Sequence, residues 1–300
     1  MLNHLKTTLL LGLLTGVLVV AGRLLGGTEG MVLAFGFAVL MNFGAYWFSD
    51  KLLLRMYGAH EIGPEDAPEI WGTVEDLARR AGLPMPKVYL LPQPGPNAFA
   101  TGRNPKHAAV AVTSGILQIL TPEQLRGVLA HELGHIKNGD ILISTLAATM
   151  AGAISMLANI AQWGLIFGGG RDDERGGNPI GLLVTMLVAP FAAMLIQLAI
   201  SRSREYAADA YGAKLVGEGR PLAEALQRLE QGNARVPTQA DPSTAHLFIV
   251  SPLVGRGISS LFRTHPHTED RVKRLRELDL DGPFPARPVG APGLRPRSLA

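Results

Sequence analysis

Four long stretches without charged residues divide the chain into apolar and polar parts. These stretches are residues 7–22, 31–48, 141–170 and 176–201. A helix that crosses a membrane needs roughly 20 mostly apolar residues, with about 17 as a practical minimum. The pattern therefore predicts four transmembrane helices in two hairpins, with the polar parts of the chain folding outside the membrane.

The two N-terminal stretches are the shortest, but their ends support the prediction that they also span. Lys6 and Arg23 flank the first stretch, where long cationic side chains can reach the headgroup region. Three consecutive aromatic residues, 46–48, close the second stretch as in an interfacial belt. A cleaved signal peptide is the alternative for 7–22. It is less favoured because no small-residue A-x-A site follows and a second apolar stretch comes at once.

The polar parts contain further helix and strand signals. Residues 63–83 predict a helix because their apolar positions recur at helical spacing, and KVYLL at 87–91 predicts a strand. Residues 97–113 predict a β-hairpin about a Gly-Arg-Asn-Pro turn. Later in the chain we expect helices at 201–217, 222–231 and 266–279, with mixed loop signals over 232–263.

These elements predict a mainly α fold with a small β-sheet (α+β), divided into five parts. The parts are an N-terminal transmembrane hairpin (1–48), a first polar segment (49–140), a second transmembrane hairpin (141–201), a second polar segment (202–282) and a disordered tail (283–300). The tail has too little apolar mass to pack.

The stretch TPEQLRGVLAHELGHIKNGD predicts a helix from residue 122 to about 138. Thr121 is a suitable N-cap, Pro122 suits the first helical position, and Gln124 completes a capping box. Apolar residues within this helix predict that it is partly buried. Buried histidine and glutamate side chains are costly unless a partner satisfies them.

The H-E-x-x-H pattern within this helix predicts a metal site. His131 and His135 lie one turn apart on the same face, so both imidazoles can hold one ion. Glu132 lies beside them, where its carboxylate can act as general base on a metal-activated water. The alternative is a surface helix that carries two solvated histidines.

A catalytic zinc ion takes three protein ligands and keeps one open position. Two predicted spans return the chain to the same side of the membrane, and Glu205 is the first acidic residue after them. Glu205 would complete a His-His-Glu set, and Asp209 could accept a hydrogen bond from the outer N–H of a ligand histidine. The alternative for Glu205 is a surface carboxylate flanked by arginines.

Taken together, the HELGH motif, SRSREYAADA after a two-span hairpin and THPHTEDR near the end resemble the HtpX family of membrane-bound heat-shock metalloproteases, which are distant relatives of the CAAX prenyl endopeptidases. The resemblance runs from the first span to about residue 280. It implies a zincin-like catalytic domain, one zinc ion per chain, and endopeptidase activity on misfolded or damaged membrane proteins as part of stress response and protein quality control.

The resemblance also implies roles for individual residues. His131, His135 and Glu205 would be the zinc ligands, Glu132 the base and Asp209 the supporting partner. His265 would stabilise the oxyanion, and Arg271 would organise the acidic groups. The NAF sequence resembles an edge segment on which substrate adds as a strand, with Asn97, Ala98 and Phe99 as its residues.

Charge and composition restrict partners and location. The chain has a net charge of +3, a pI of about 9.3 and no cysteine. No nucleic-acid-binding motif is present, and a disulfide framework is excluded. Several basic residues suggest a surface that tolerates anionic lipid headgroups, namely Arg202, Arg204, Lys273, Arg274 and Arg276.

Positive charge also predicts the orientation. Five basic residues flank spans on the catalytic side and three on the other, so the catalytic domain and both termini are expected to face the bacterial cytoplasm. The expected partners are the lipid bilayer and protein substrates. Residues 232–263 are long enough to cover the site, so we expect a restrained resting enzyme.

The sequence bears on three other functions. An intramembrane protease is disfavoured because the H-E-x-x-H helix is too polar for the bilayer interior. A transporter is disfavoured because the predicted spans contain no ionisable residue. A non-catalytic zinc scaffold would keep the ligands but has no need of Glu132.

Overall fold

A computed structural model describes residues 2–147, 150, 202–235, 247–250 and 266–278. The described helices are α1 (Leu2–Met56), α2 (Pro68–Ala81), α3 (Ser114–Ile119), α4 (Pro122–Asn138), α5 (Arg202–Val216), α6 (Arg220–Arg235) and α7 (Thr268–Arg276). The strands are β1 (His60–Glu61), β2 (Lys87–Leu91), β3 (Ala98–Gly102) and β4 (Ala108–Thr113). The fourth predicted span, most of the third and the C-terminal tail lie outside the described residues.

Helix α1 is a hairpin of two helical segments. The helical conformation breaks at Gly26 and Gly27, where Gly27 has a φ of 60°, a value that favours glycine. The amide of Asn42 donates hydrogen bonds to the carbonyl of Leu11 (3.2 Å) and to the hydroxyl of Thr15 (2.8 Å), so the second segment folds back along the first. The two segments therefore form a hairpin with its turn at Gly26 and Gly27.

One described helix, Gly26–Met56, is long and apolar enough to cross a membrane. Large apolar side chains such as those of Leu33 (75% exposed) and Leu40 (72% exposed) cover its surface. The first apolar stretch forms a shorter apolar helix, Thr7–Val20. The described part of the chain thus contains one clear candidate for a membrane span. The presence of four spans remains a prediction.

The sheet has the strand order β1-β2-β4-β3. Strands β3 and β4 form the predicted antiparallel hairpin, β2 pairs parallel with β4, and β1 pairs antiparallel with β2. Because successive side chains point to opposite faces, Val110 and Val112 pack against the helices while Ala109 and Ala111 face Leu53 and Leu54 of α1. The sheet is therefore buried on both faces, between α4 and the end of α1.

The main core forms where α2, α4, α5, α6 and α7 meet this sheet. Helix α2 confirms the predicted helix and ends at Gly82, which takes a left-handed conformation with φ of 63°. Helix α6 is longer than predicted and continues through Gly232 to Arg235, into the region expected to be loop. Helix α7 is shorter than the predicted 266–279. Strand β1 and helix α3 were not predicted.

Candidate metal centre and active site

Local sequence signals fix both ends of α4, the helix that carries the H-E-x-x-H motif. The hydroxyl of Thr121 accepts from the Gln124 N–H (3.3 Å), and the Gln124 side chain accepts from the Thr121 N–H (3.2 Å), so the predicted capping box is confirmed. Gly139 ends the helix in a left-handed conformation with φ of 70°. This turn brings Asp140 back so that its N–H donates to the carbonyl of His135 (3.0 Å).

Small residues let α5 cross α4 at very short range. A Cβ atom on Gly212 would lie 2.8 Å from the backbone nitrogen of His131, and one on Gly134 would lie 3.1 Å from the Cα of Ala208. Both distances are shorter than an ordinary van der Waals contact. Glycine at these two positions therefore allows the backbones to approach closely enough for side chains of α5 to reach the histidines of α4.

Three potential metal ligands converge at this crossing. The Nε2 atoms of His131 and His135 lie 3.2 Å apart. The carboxylate oxygens of Glu205 lie 3.8 Å from the Nε2 of His131 and 3.6 Å from the Nε2 of His135. Ligands about 2.0–2.1 Å from a tetrahedral zinc ion lie about 3.3 Å from one another, close to the spacing of these three side chains.

The outer nitrogen of each histidine faces a carboxylate. The Nδ1 of His131 lies 2.9 Å from Asp209, the partner predicted from the sequence. The Nδ1 of His135 lies 3.3 Å from Asp140, which the sequence analysis did not assign. Asp140 also lies 3.4 Å from Arg204, so this arginine is engaged at the site rather than left for lipid. Such partners fix the tautomer and the ring orientation of metal-binding histidines.

The chemistry of these groups fits a divalent cation. If each Nδ1–H points to its carboxylate, the lone pairs of both Nε2 atoms face each other and the Glu205 carboxylate. Three acceptors then converge with no donor among them, and a cation satisfies all three. The electrostatics agree: burial alone would lower the pKa of His135, but the carboxylates of Asp140, Glu205 and Glu132 raise it to about 9, so positive charge is favoured here.

Arg271 connects the acidic side of the site to the protein core. Its guanidinium donates two hydrogen bonds to Asp209 (2.8 and 2.7 Å) and one to the carbonyl of Ile249 (2.7 Å), and it lies 3.6 Å from Glu205. Burial would raise the pKa of Asp209, but the charge and hydrogen bonds of Arg271, together with His131, outweigh burial and lower the pKa to about 2. Asp209 is therefore ionised and can orient His131.

Glu132 is 4% exposed and directly follows His131 in the chain. Burial raises the pKa of its carboxyl group to about 7, although a hydrogen bond from the backbone of Ala100 and the charge of His135 oppose the change. A carboxyl group with a pKa near neutrality can both accept and return a proton.

Strand β3 forms one edge of the sheet and lines the site. Phe99 and Ala100 lie in the lining of the cleft. The Thr113 N–H donates to the carbonyl of Asn97, so the alternate residues Ala98 and Ala100 turn their backbone groups away from β4. The backbone hydrogen bond from Ala100 to Glu132 fits this orientation.

Segment 247–250 forms another wall of the cleft, which has a volume of about 40 Å³. The Ile249 N–H donates to the side-chain oxygen of Asn97 (3.3 Å), and the Ile249 carbonyl accepts from Arg271. Leu247 and Phe248 also line the cleft. Asn97 thus contacts this segment, whereas the sequence predicts that it holds the substrate backbone. His265 lies outside the described residues, so its predicted position at the site stays a prediction.

A buried H-E-x-x-H helix, a glutamate from a second helix and a sheet edge beside them define a metalloprotease. The chain belongs to peptidase family M48, whose family model matches residues 64–279. The resemblance stated from the motifs is thereby confirmed.

Relatives and a solved structure agree with this assignment. Protease HtpX homolog of Persephonella marina is 57% identical over 281 residues, which cover 92% of this chain and 98% of the relative. Protease HtpX homolog of Ralstonia pickettii is 51% identical over 290 residues, covering 95% and 100%. The crystal structure of S. mikatae Ste24p has a similar fold, with a TM-score of 0.50 at 20% identity. The match covers 92% of this chain but only 65% of that longer chain.

Proposed function

We propose that this chain is a membrane-integrated zinc endopeptidase that hydrolyses peptide bonds of misfolded or damaged membrane proteins. The observation that carries the proposal is the convergence of His131, His135 and Glu205, whose ligand atoms all lie within 4.8 Å of one another. These three residues are proposed to hold one zinc ion. The ion would polarise the scissile carbonyl and lower the pKa of a water molecule toward about 7.

Glu132 is the proposed base for the attacking water. Its carboxylate takes the proton from the water as the oxygen attacks the carbonyl carbon, and then delivers this proton to the nitrogen of the departing amine. The hydrogen bond from the backbone of Ala100 limits rotation of the carboxylate, so that one oxygen stays directed into the cleft. Asp209 and Asp140 hold the two imidazoles in position, and Arg271 keeps Asp209 charged.

We propose that substrate adds as a strand along β3, on the segment formed by Asn97, Ala98 and Phe99. The position of β3 at the edge of the described sheet supports this, because a sheet edge is a ready template for an extended peptide. The side chain of Asn97 already binds a backbone N–H, that of Ile249. The same amide can therefore bind an N–H of substrate when segment 247–250 moves. His265 is proposed to stabilise the oxyanion, and Arg271 to support the acidic groups.

Segment 247–250 is proposed to restrain access to the site, as expected from the length of region 232–263. Leu247 and Phe248 are buried in the cleft wall next to Phe99 and Glu132. Phe248→Ala should increase the initial rate of cleavage of a short peptide relative to wild type, because it removes the larger part of this wall. An unchanged or lower rate in a folded variant would count against the restraint.

The proposed location is the bacterial cytoplasmic membrane, with several spans and with the catalytic domain and both termini in the cytoplasm. The exposed apolar surface of Gly26–Met56 and the hairpin at Gly26 support insertion. A reporter fused after residue 170 that proved cytoplasmic would contradict the proposed orientation.

The function is tested by metal content and casein cleavage of the purified full-length protein in detergent. Glu132→Gln should retain about one zinc per chain and lose cleavage, since a lost general base costs about 10²–10⁴-fold in rate. His135→Ala should lose both. Glu123→Gln, on the exposed first turn of the same helix, is the matched control and should keep both. Full cleavage by Glu132→Gln would refute Glu132 as the base, whereas zinc binding without cleavage by the wild type would indicate a zinc scaffold.

A further inference from the structure

An open cavity with about 1910 Å³ of empty volume lies where the end of α1 meets the outer face of the sheet. Three separate parts of the chain supply its walls: the last turns of α1, strands β1 and β2, and the turn between β3 and β4. The end of α1 is fixed there because Leu53 and Leu54 are buried against the sheet. The cavity is therefore built by the fold and is separate from the cleft at Glu132.

Cationic side chains dominate the lining of this basic cavity. They are Lys51, Arg55, Lys87, Arg103 and Lys106, joined by His60 and His107. Two carboxylates oppose this positive charge. Asp50 lies in the lining, and Glu61 forms an ion pair with Lys87 at 2.7 Å. Among the described residues, Arg55 and Lys106 form no ion pair. An excess of positive charge around one cavity attracts an anionic group.

The position along α1 places this charge at the depth of lipid headgroups. The uncharged stretch from residue 31 to 48 measures about 27 Å at 1.5 Å per residue, close to the hydrocarbon thickness of a bilayer, about 30 Å. Phe48 then marks the interface, and Lys51 and Arg55 follow within two further turns. If Gly26–Met56 crosses the membrane as proposed above, the basic cavity opens at the headgroup layer.

Aromatic residues at the same level connect the cavity to the bilayer surface. The guanidinium of Arg103 lies 4.6 Å from the ring centre of Trp47, and the ammonium of Lys51 lies 5.9 Å from that of Phe48. Both rings are exposed, as expected for an interfacial belt. The side chain of Met85, also exposed, adds an apolar patch to the cavity wall, against which the glycerol and upper acyl chain of a lipid can pack.

We propose that the basic cavity binds the phosphate-bearing headgroup of an anionic phospholipid of the membrane in which α1 is inserted. The proposal rests on the proposed membrane insertion but not on the peptidase chemistry. A lipid fits better than a nucleic acid because the cavity adjoins an apolar helix and carries an apolar wall. The basic set suggested by the sequence does not form this site: Arg204 faces Asp140, and Arg274 stacks on Tyr206.

The test measures lipid binding to the full-length protein in detergent by native mass spectrometry, with phosphatidylglycerol and phosphatidylcholine as probes. The triple variant Lys51→Gln, Arg55→Gln, Lys106→Gln removes three exposed cations from the cavity. We expect it to bind phosphatidylglycerol about 100-fold more weakly than wild type, because each cation near an anionic lipid contributes on the order of a fivefold effect. Phosphatidylcholine binding should not change.

The matched control is Arg80→Gln, Lys214→Gln, Lys273→Gln, which removes the same charge from helices outside the cavity lining and should bind phosphatidylglycerol as wild type does. Inorganic phosphate is added separately, and it should compete only weakly. Equal loss in both triple variants, equal binding of the two lipids, or a preference for free phosphate over phosphatidylglycerol would each overturn the proposal.

Two further readouts separate this result from the proposed function. Alkaline extraction of membranes reports whether the chain is inserted, and cleavage of a soluble peptide in detergent reports whether the triple variant is folded and active. Wild-type cleavage with a hundredfold loss of lipid binding supports the headgroup site. If the triple variant is extracted, cleaves peptide and binds lipid as wild type does, the headgroup site is rejected. The peptidase assignment is then unaffected.

Discussion

Replacing Gly212 by alanine tests whether the close crossing of α4 and α5 sets the geometry of the metal site. The added Cβ would lie 2.8 Å from the backbone nitrogen of His131 and 3.1 Å from the carbonyl carbon of Ala130. Because these neighbours are backbone atoms, they cannot rotate away as a side chain can. Helix α5 must move outward, and it carries Glu205 and Asp209 with it.

The displacement is about 0.6 Å if the contact relaxes to an ordinary 3.4 Å separation. Metal–ligand distances are specified to within about 0.2 Å, so a shift of this size displaces the Glu205 oxygens out of ligand range. Overpacking costs about 1–3 kcal/mol, and alanine returns up to about 1 kcal/mol through its helix propensity. We expect a net loss of about 1–2 kcal/mol in stability and at least a tenfold loss in zinc affinity, about the effect of removing a supporting partner.

Zinc affinity is measured by competition with a chromophoric chelator, and stability by thermal unfolding with and without zinc. The control is Gly72→Ala, at a helical glycine of α2 with nothing within 4 Å of the added Cβ. This variant should keep wild-type zinc affinity and be slightly more stable. If Gly212→Ala binds zinc and cleaves casein as wild type does, the close crossing is not what positions Glu205.

Three further predictions follow from individual contacts. Asp140→Asn should lower zinc affinity about 10–100-fold while the fold persists, since it weakens the partner of the outer nitrogen of His135; unchanged chelator competition would refute this role. Arg271→Met should destabilise the protein by about 3–5 kcal/mol in chemical denaturation, because Asp209 is left charged and buried; replacing Asp209 by leucine as well should recover part of this loss, and no recovery would argue against the pair. Thr121→Ala should cost about 1 kcal/mol through loss of the helix cap, seen as a lower unfolding midpoint with zinc stoichiometry unchanged; an altered stoichiometry would show that the cap acts on the site itself.

Elements with strong local signals could be predicted from the sequence. The capping box at Thr121 and the strand at 87–91 each depend on residues within a few positions of one another. Strand β1 and helix α3 were missed because they are two and six residues long and owe their conformation to packing on the sheet.

The site was predictable where chain order restricts the candidates. Glu205 is the first acidic residue after the predicted spans, so chain order indicates it, and it lies 3.6 Å from His135. Asp140 was missed because its approach to His135 depends on the left-handed turn at Gly139. The role of Ile249 could not be predicted. Its backbone bonds to residues far away in the sequence, and the identity of a side chain does not indicate such backbone contacts.

The buried guanidinium of Arg271 links the wall of the cleft to the metal ligands. It holds the carbonyl of Ile249 on one side and the carboxylate of Asp209 on the other, and Asp209 in turn holds the ring of His131. A displacement of the wall by an entering polypeptide therefore changes the hydrogen bonding of the arginine, and through it the orientation of an imidazole. In the proposed enzyme, a single side chain would therefore couple substrate entry to the geometry of the metal ligands.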